Sequence, residues 1–142
     1  MPWLLLLITA IALVFDFLNG FHDASNIVAT MISSRAVAPR TALILTAVAE
    51  LAGPFLFGVA VATTIGSEVV NPAAITSVVI IAALLGAIAW NLLTWYFRLP
   101  SSTSHALIGG LLGAVIAASG LSTIRLAGLE KVLLALFISP VL

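Results

Sequence analysis

The sequence predicts an all-α integral membrane protein, and three observations support this fold class. Of the 142 residues, 63% are hydrophobic and 7% are charged, whereas a soluble domain has about 25% charged residues. Several apolar runs reach the roughly 20 residues that a helix needs to cross a bilayer. The arginines lie near the ends of these runs, as is typical of residues that flank membrane spans: Arg35, Arg40, Arg98 and Arg125. We expect residues 1–142 to form a single membrane domain.

The composition also excludes some partners. The net charge is zero, and binding to nucleic acid requires a basic surface that neutralises phosphates, so no nucleic-acid partner is expected. The chain has no cysteine, which rules out a disulfide framework and a thiolate metal site within it. We expect no cofactor and no dedicated metal site.

The first predicted span covers residues 3–33. It is about ten residues longer than a span requires, and Gly20 lies in its middle, so we expect a kink or a break at residues 19–21. No basic region precedes the apolar run and no clear cleavage site follows it. These features favour a retained helix over a signal peptide.

The second predicted span covers residues 41–63, with Glu50 near its middle. The loop before it carries Arg35 and Arg40, and the loop after it carries Glu68 and no basic residue. By the positive-inside rule, the arginine loop is cytoplasmic, whereas the Glu68 loop and the N-terminus are outside. The predicted location is the cell membrane (plasma or inner membrane), which the chain crosses several times.

Further apolar runs cover residues 73–97 and 106–120. Gly109 and Gly113 in the second of these are four residues apart, which allows close helix packing. Aromatic residues near the end of the first could form a belt at the membrane interface: Trp90, Trp95 and Tyr96.

The last apolar run begins near Leu126, and 11 largely apolar residues follow Lys131. That length cannot cross a hydrocarbon core of roughly 30 Å. We therefore expect the chain to be part of a longer protein, with its C-terminus cut inside a helix.

A polar stretch interrupts the first span, where residues 19–26 read N-G-F-H-D-A-S-N. Spacing of i, i+3, i+7 and i+10 places four polar residues on one stripe of a helix: Asp16, Asn19, Asp23 and Asn26. A carboxylate near the bilayer centre costs about 2.5 to 3.5 kcal/mol. The stripe is therefore expected to face a bundle interior or a water-filled cavity and to be functional. His22 could carry a proton or be a bystander.

A second polar stretch, residues 100–105, reads P-S-S-T-S-H and predicts the start of a helix. Pro100 ends the preceding helix, and Ser101 or Ser102 is a suitable N-cap. The first turn then offers unpaired backbone N–H groups, the positive end of a helix dipole and four hydroxyl groups, which suit a tetrahedral oxyanion. Secondary transporters use broken helices in this way. The preceding arm either crosses the bilayer, so that Arg98 is cytoplasmic, or turns back as a re-entrant hairpin.

Other interpretations stay open from the residues alone. A serine hydrolase is disfavoured because no serine lies in a G-x-S-x-G turn, and because Ser102 and His105 share one short turn. A metal-ion carrier or channel is disfavoured because its candidate ligands lack chelating spacing: His22, Asp23, Glu50 and His105. Glu50 could also be a structural contact between helices, and Asn91 is interpreted as a packing amide.

Two segments carry a family resemblance. Residues 19–30 (N-G-F-H-D-A-S-N-I-V-A-T) and 90–110 (W-N-L-L-T-W-Y-F-R-L-P-S-S-T-S-H-A-L-I-G-G) together resemble the inorganic phosphate transporter (PiT) family. Both family signatures, G-x-x-D-x-x-N and P-x-S-[ST]-[ST]-H, occur in order. The resemblance covers essentially the whole chain, which corresponds to the N-terminal half of a family member.

The resemblance implies one half of an inverted-repeat transporter that carries inorganic phosphate in symport with H⁺ or Na⁺. The chain would supply the broken first helix and a helical hairpin whose tip lies at Pro100–His105, and a C-terminal repeat would complete the protein. A homodimer is an open alternative to a monomer. The expected phosphate-binding residues are Ser101, Ser102, Thr103, Ser104, His105 and Asn26. With the polar stripe included, the expected coupling-ion residues are Asp23, Asn26, Glu50, His22 and Asp16.

The chain departs from the family pattern at two positions. His22 stands where many members have Asn, and the resulting F-H-D sequence resembles bacterial, proton-coupled members, which carry metal–phosphate complexes. Arg98 stands where Gly is expected before Leu99 and Pro100.

Overall fold

The computed structural model describes residues 2–57 and 65–138. They form five α-helices: α1 (Pro2–Ser33), α2 (Pro39–Phe57), α3 (Ser77–Tyr96), α4 (Thr103–Ser119) and α5 (Leu126–Ile138). Shorter elements are a π-helical turn (Ile65–Val69) and two 3-10 turns (Pro72–Ala74 and Leu121–Thr123). The described residues contain no β-strand, so the predicted all-α class is confirmed. The ends of two predicted apolar runs, residues 58–63 and 139–142, lie outside the described residues.

Helix α1 is continuous over 32 residues, so of the kink or break predicted at residues 19–21 the break is wrong, and the kink stays a prediction. Gly20 weakens a helix by about 1 kcal/mol relative to alanine, but it keeps its backbone N–H and has no ring to clash with the preceding turn. Proline, which has both defects, breaks helices far more strongly. The packing of α1 against its neighbours is sufficient to keep this segment helical.

Helices α1 and α3 are both long and apolar enough to cross a membrane. Among the residues of α1, only Phe15, His22 and Val28 are buried. Large apolar side chains such as Leu6 and Phe17 are 71% and 72% exposed. A soluble protein rarely leaves so much contiguous apolar surface uncovered, so this exposure fits a helix that contacts lipid.

Helices α3 and α4 pack against each other in antiparallel orientation at very short distance. A Cβ atom on Gly110 would lie 2.5 Å from the carbonyl oxygen of Ala83. Gly109 and Gly113 have no atom within 4 Å of such a position. Close helix packing through Gly109 and Gly113, which their spacing allows, does not occur among the described residues, because Gly110 is the residue that the helix turns toward α3.

The connection between α3 and α4 is a short turn with Arg98 in the left-handed conformation, at φ 55°. The Leu99 N–H donates to the Thr94 carbonyl at 2.8 Å and the Arg98 N–H to the Trp95 carbonyl at 3.0 Å, which is the Schellman pattern of helix termination. Ser102 then caps α4, and its hydroxyl oxygen accepts from the His105 N–H. The predicted N-cap is confirmed at Ser102.

Two apolar clusters hold the helices together. One joins α1 to the α3–α4 pair through Phe15, Leu84, Ala87 and Ala106. The other packs α5 and the π-helical turn against the opposite ends of α3 and α4, through Val69, Val70, Ala74, Val79, Ile108, Val115 and Val132. The α3–α4 connection therefore lies beside α1, at the end of the pair away from α5.

Candidate functional site

The two polar stretches of the sequence meet between α1 and α4. The Thr103 hydroxyl donates to Asp23 Oδ2 at 3.2 Å across 80 residues of chain. Thr103 is 4% exposed, and Asp23 is half-buried. The predicted juxtaposition of the α1 carboxylate with the hydroxyl-bearing helix start is confirmed by this contact.

His22 lies next to Asp23 and is buried against α3. Its Nε2 is 3.0 Å from the backbone oxygen of Asn91. A carbonyl oxygen can only accept, so Nε2 is assigned the proton, and Nδ1 of a neutral ring is left as an acceptor. The Ser25 hydroxyl donates to the His22 carbonyl at 2.6 Å, which adds a local contact at the same turn of α1.

Asn91 is fully buried, and neither side-chain polar atom has a hydrogen-bond partner among the described residues. The Thr94 hydroxyl donates to the backbone oxygens of Trp90 and Asn91 at 3.0 and 3.1 Å. Four of the five buried polar residues in the described ranges thus lie where α1, α3 and α4 meet: His22, Asn91, Thr94 and Thr103. The buried amide of Asn91 adds polar groups to this junction between helices. The sequence analysis had interpreted Asn91 as a packing residue and did not predict a polar junction here.

The four hydroxyl groups at the start of α4 point in different directions. Thr103 faces Asp23, Ser102 caps its own helix, and Ser101 accepts from the indole of Trp90 at 3.1 Å. Ser104 is exposed. A single cradle of four hydroxyls, which the sequence suggested, is therefore not formed by these side chains.

A cavity of about 600 Å³ lies on the face of α4 that bears Ser101, Ser102 and His105. Trp90 of α3 and Pro100 of the turn also border it, and glycine and alanine residues complete its wall. Neither Asp23 nor Thr103 lines it. The start of α4 thus presents an open face with hydroxyl and imidazole groups and a closed face that contacts the carboxylate.

The remaining predicted site residues are less enclosed. Asp16 and Asn26 are exposed, so the described helices do not enclose the whole polar stripe. Glu50 is also exposed. Its Oε2 nevertheless lies 4.0 Å from the position that a Cβ atom on Gly20 would occupy. Glu50 of α2 is therefore held beside α1, one turn before Asp23.

No three or more His, Asp or Glu side chains within residues 2–57 and 65–138 are grouped so that they could hold a metal ion. Trp90 is the site residue that the sequence interpretation missed, because it was assigned to an interfacial belt. No sequence signal links Trp90 to Ser101, since their contact depends on how the chain turns between α3 and α4.

The chain matches the family model described as the phosphate transporter family over residues 19–142. It belongs to the phosphate transporter family. The matched residues include both polar stretches and the Asp23–Thr103 contact. The family consists of transporters rather than enzymes, in agreement with the prediction, and the apolar helices fit a membrane protein.

Several relatives are similar to nearly the whole chain. A probable low-affinity inorganic phosphate transporter of Bacillus subtilis (strain 168) is 50% identical over 141 residues, which are 98% of this chain and 42% of the relative. The protein of the same description from Streptomyces halstedii is 51% identical, over 96% of this chain and 64% of the relative. The low-affinity inorganic phosphate transporter of Escherichia coli (strain K12) is 37% identical, over 97% and 30%. The chain thus spans less than two thirds of each of these relatives, and no solved structure matches it significantly.

Proposed function

We propose that the protein is a secondary active symporter of inorganic phosphate, taken either as the free anion or as a metal–phosphate complex, coupled to H⁺ or Na⁺. The contact between Asp23 and Thr103 carries this proposal. It joins a membrane carboxylate, which suits a cation, to the start of a helix, which suits an anion. Membership of the phosphate transporter family and the names of the relatives support phosphate as the substrate.

The two faces of the α4 start have separate roles in this proposal. The open face, with Ser101, Ser102 and His105 beside a cavity of about 600 Å³, receives the anion. Asp23 receives the coupling cation at Oδ1, the oxygen that Thr103 does not use. Opposite charges bound on the two faces of one helix start attract each other in a medium of low dielectric constant, which lowers the cost of closing the protein around both.

Thr103 links the two sites. Its hydroxyl donates to the Asp23 carboxyl group, and a hydrogen bond to a charged acceptor is roughly twice as strong as one to a neutral acceptor. A proton or Na⁺ on Asp23 neutralises the carboxylate and weakens this bond, so the start of α4, whose open face receives the anion, is held less tightly to α1. Binding of the cation thereby prepares the anion site, which is the basis of coupling.

The position of the contact along α1 supports a helix tip within the membrane. Asp23 lies ten residues before Ser33, the last residue of α1 (33 − 23 = 10), which corresponds to about 15 Å at 1.5 Å per residue. The Arg98 turn is thus deep in the bilayer if Ser33 lies at the membrane surface. In this proposal α3 and α4 form a re-entrant hairpin, and a second inverted repeat supplies the other half of the site for alternating access.

The proposal is tested by uptake of labelled phosphate in cells that express the Asp23→Asn variant. The carboxamide has nearly the same shape and cannot take a negative charge, so coupled uptake should be abolished with little loss of expression. Glu130→Gln is the matched control, because Glu130 is exposed on α5 and should transport normally. Near-normal uptake by Asp23→Asn would refute the assigned role of this carboxylate.

A further inference from the structure

A hydrogen bond from helix α3 to the turn between α3 and α4 borders the candidate anion cavity. Trp90 Nε1 donates to Ser101 Oγ at 3.1 Å. Both residues line the cavity together with Ser102 and His105. Trp90 itself is 53% exposed, so its indole forms an accessible part of the cavity wall.

This hydrogen bond determines what Ser101 can offer to a ligand. An indole N–H can only donate, whereas a serine hydroxyl has one proton to donate and two lone pairs that accept. The indole occupies one lone pair of Ser101 Oγ and restricts its rotamer. The hydroxyl proton of Ser101 therefore stays available, and among the described residues no other acceptor takes it.

We infer that Trp90 is a positioning residue of the phosphate site: it holds Ser101 so that the serine hydroxyl donates to an unprotonated oxygen of the bound anion. The inference rests on the proposed phosphate transport. It assigns Trp90 a role in substrate affinity, in addition to any contact of its ring with lipid.

The test compares Trp90→Phe with Trp95→Phe in phosphate uptake. Phenylalanine keeps an apolar ring but has no N–H donor. Trp95 is the matched control, since it lies on the same helix, is 55% exposed and packs edge-on against Phe21, and its indole N–H has no hydrogen-bond partner among the described residues. We expect Trp90→Phe to raise the KM for phosphate about three- to tenfold, the range that corresponds to one net hydrogen bond, with an unchanged maximal rate per transporter. An affinity loss without a rate loss indicates lost binding of substrate and transition state alike.

A double-mutant cycle with Ser101→Ala separates positioning from a general structural effect. If Trp90 acts through Ser101, Trp90→Phe should add no further rise in KM in the Ser101→Ala background. Multiplied effects of the two substitutions, or an unchanged KM in Trp90→Phe, would overturn the inference and leave phosphate transport intact. Absence of saturable phosphate uptake by the unmodified protein would overturn the proposed function and this inference together.

Replacement of Trp90 by benzothienylalanine covers the case in which phenylalanine disturbs folding. This residue has the two-ring shape of tryptophan with sulfur in place of the N–H. It should reproduce the raised KM while expression and thermal stability equal those of the unmodified protein. A normal KM in this variant would show that ring shape, rather than the hydrogen bond, determines affinity.

Discussion

At the scale of single residues, the backbone conformation of Arg98 shapes the turn that carries the candidate anion site. Its φ of 55° is a conformation that glycine adopts without cost and that side-chain-bearing residues adopt with strain. The family resemblance led to the expectation of glycine at this position, and the structure gives a physical reason for that expectation: the residue is the left-handed C′ position of a Schellman motif. Arg98 adopts the glycine conformation instead of changing the turn.

Replacement of Arg98 by glycine should stabilise the protein, and alanine provides the comparison. Both variants lose the charge, so they differ by a Cβ atom alone. We expect Arg98→Gly to unfold at higher temperature than Arg98→Ala, with a difference of about 1 kcal/mol in the free energy of unfolding. Thermal unfolding in detergent without phosphate measures this difference. An alanine variant as stable as the glycine variant would mean that the turn does not require a left-handed residue.

The residues that sequence could predict are those governed by local rules. Ser102 was predictable as a cap because hydroxyl residues before an apolar run satisfy free N–H groups. The polar contact of Asp23 was predictable because a carboxylate is costly in the membrane unless it faces polar groups or water. The hydrogen bond from Trp90 to Ser101 was not predictable, because it depends on the geometry of a turn that sequence spacing does not fix. The Asn91 amide, which has no partner among the described residues, was not predictable either, because its surroundings depend on how the helices pack.

At the scale of secondary-structure elements, the α3–α4 pair depends on one glycine. A Cβ on Gly110 would collide with the Ala83 backbone, whereas one on Gly113 meets no atom within 4 Å. We expect Gly110→Ala to force the helices apart and to lower the free energy of unfolding by about 1 to 3 kcal/mol, as overpacked contacts do. Gly113→Ala should raise it by up to about 1 kcal/mol, because alanine is the better helix former. Thermal unfolding of the two variants should therefore shift in opposite directions, and equal shifts would contradict this helix contact.

The positions of the apolar helices were predicted well from sequence, whereas helix continuity and the glycine at the helix contact were predicted less well. Residues 3–33 and 73–97 were correctly assigned to apolar helices because uninterrupted hydrophobic runs in a low-charge chain leave few other structures. The expected break at Gly20 was wrong, since one glycine in a helix of 32 residues is a modest local cost. The choice of Gly110 over Gly109 and Gly113 depends on the rotation of α4 about its axis, which a run of small residues leaves undetermined.

At the scale of the whole molecule, the contact between α1 and α4 was predictable because lipid solvates polar side chains poorly. Two polar segments within one apolar chain avoid lipid by facing each other or water, and the bond from Thr103 to Asp23 is the result. What could not be predicted is the division of the hydroxyl groups between two faces of α4. That division follows from helical rotation and from the competing partners of each serine.

The charges of the loops predict the orientation of the chain in the membrane. The loop with Arg35 and Arg40 is expected in the cytoplasm and the turn with Glu68 outside. These 142 residues have no cysteine, so single cysteines can be introduced at Ala36 and at Gly66, both of which are exposed. With a membrane-impermeant thiol reagent on intact cells, Gly66→Cys should be labelled at once.

The Ala36→Cys variant should react only after the membrane is permeabilised. The two sites flank α2, so labelling on opposite sides requires that the segment between them crosses the bilayer. Labelling of both variants in intact cells would mean that α2 does not cross. The reversed pattern would place the arginine loop outside, against the charge bias, and would make the proposed re-entrant tip enter the bilayer from the cytoplasmic face instead of the outer face.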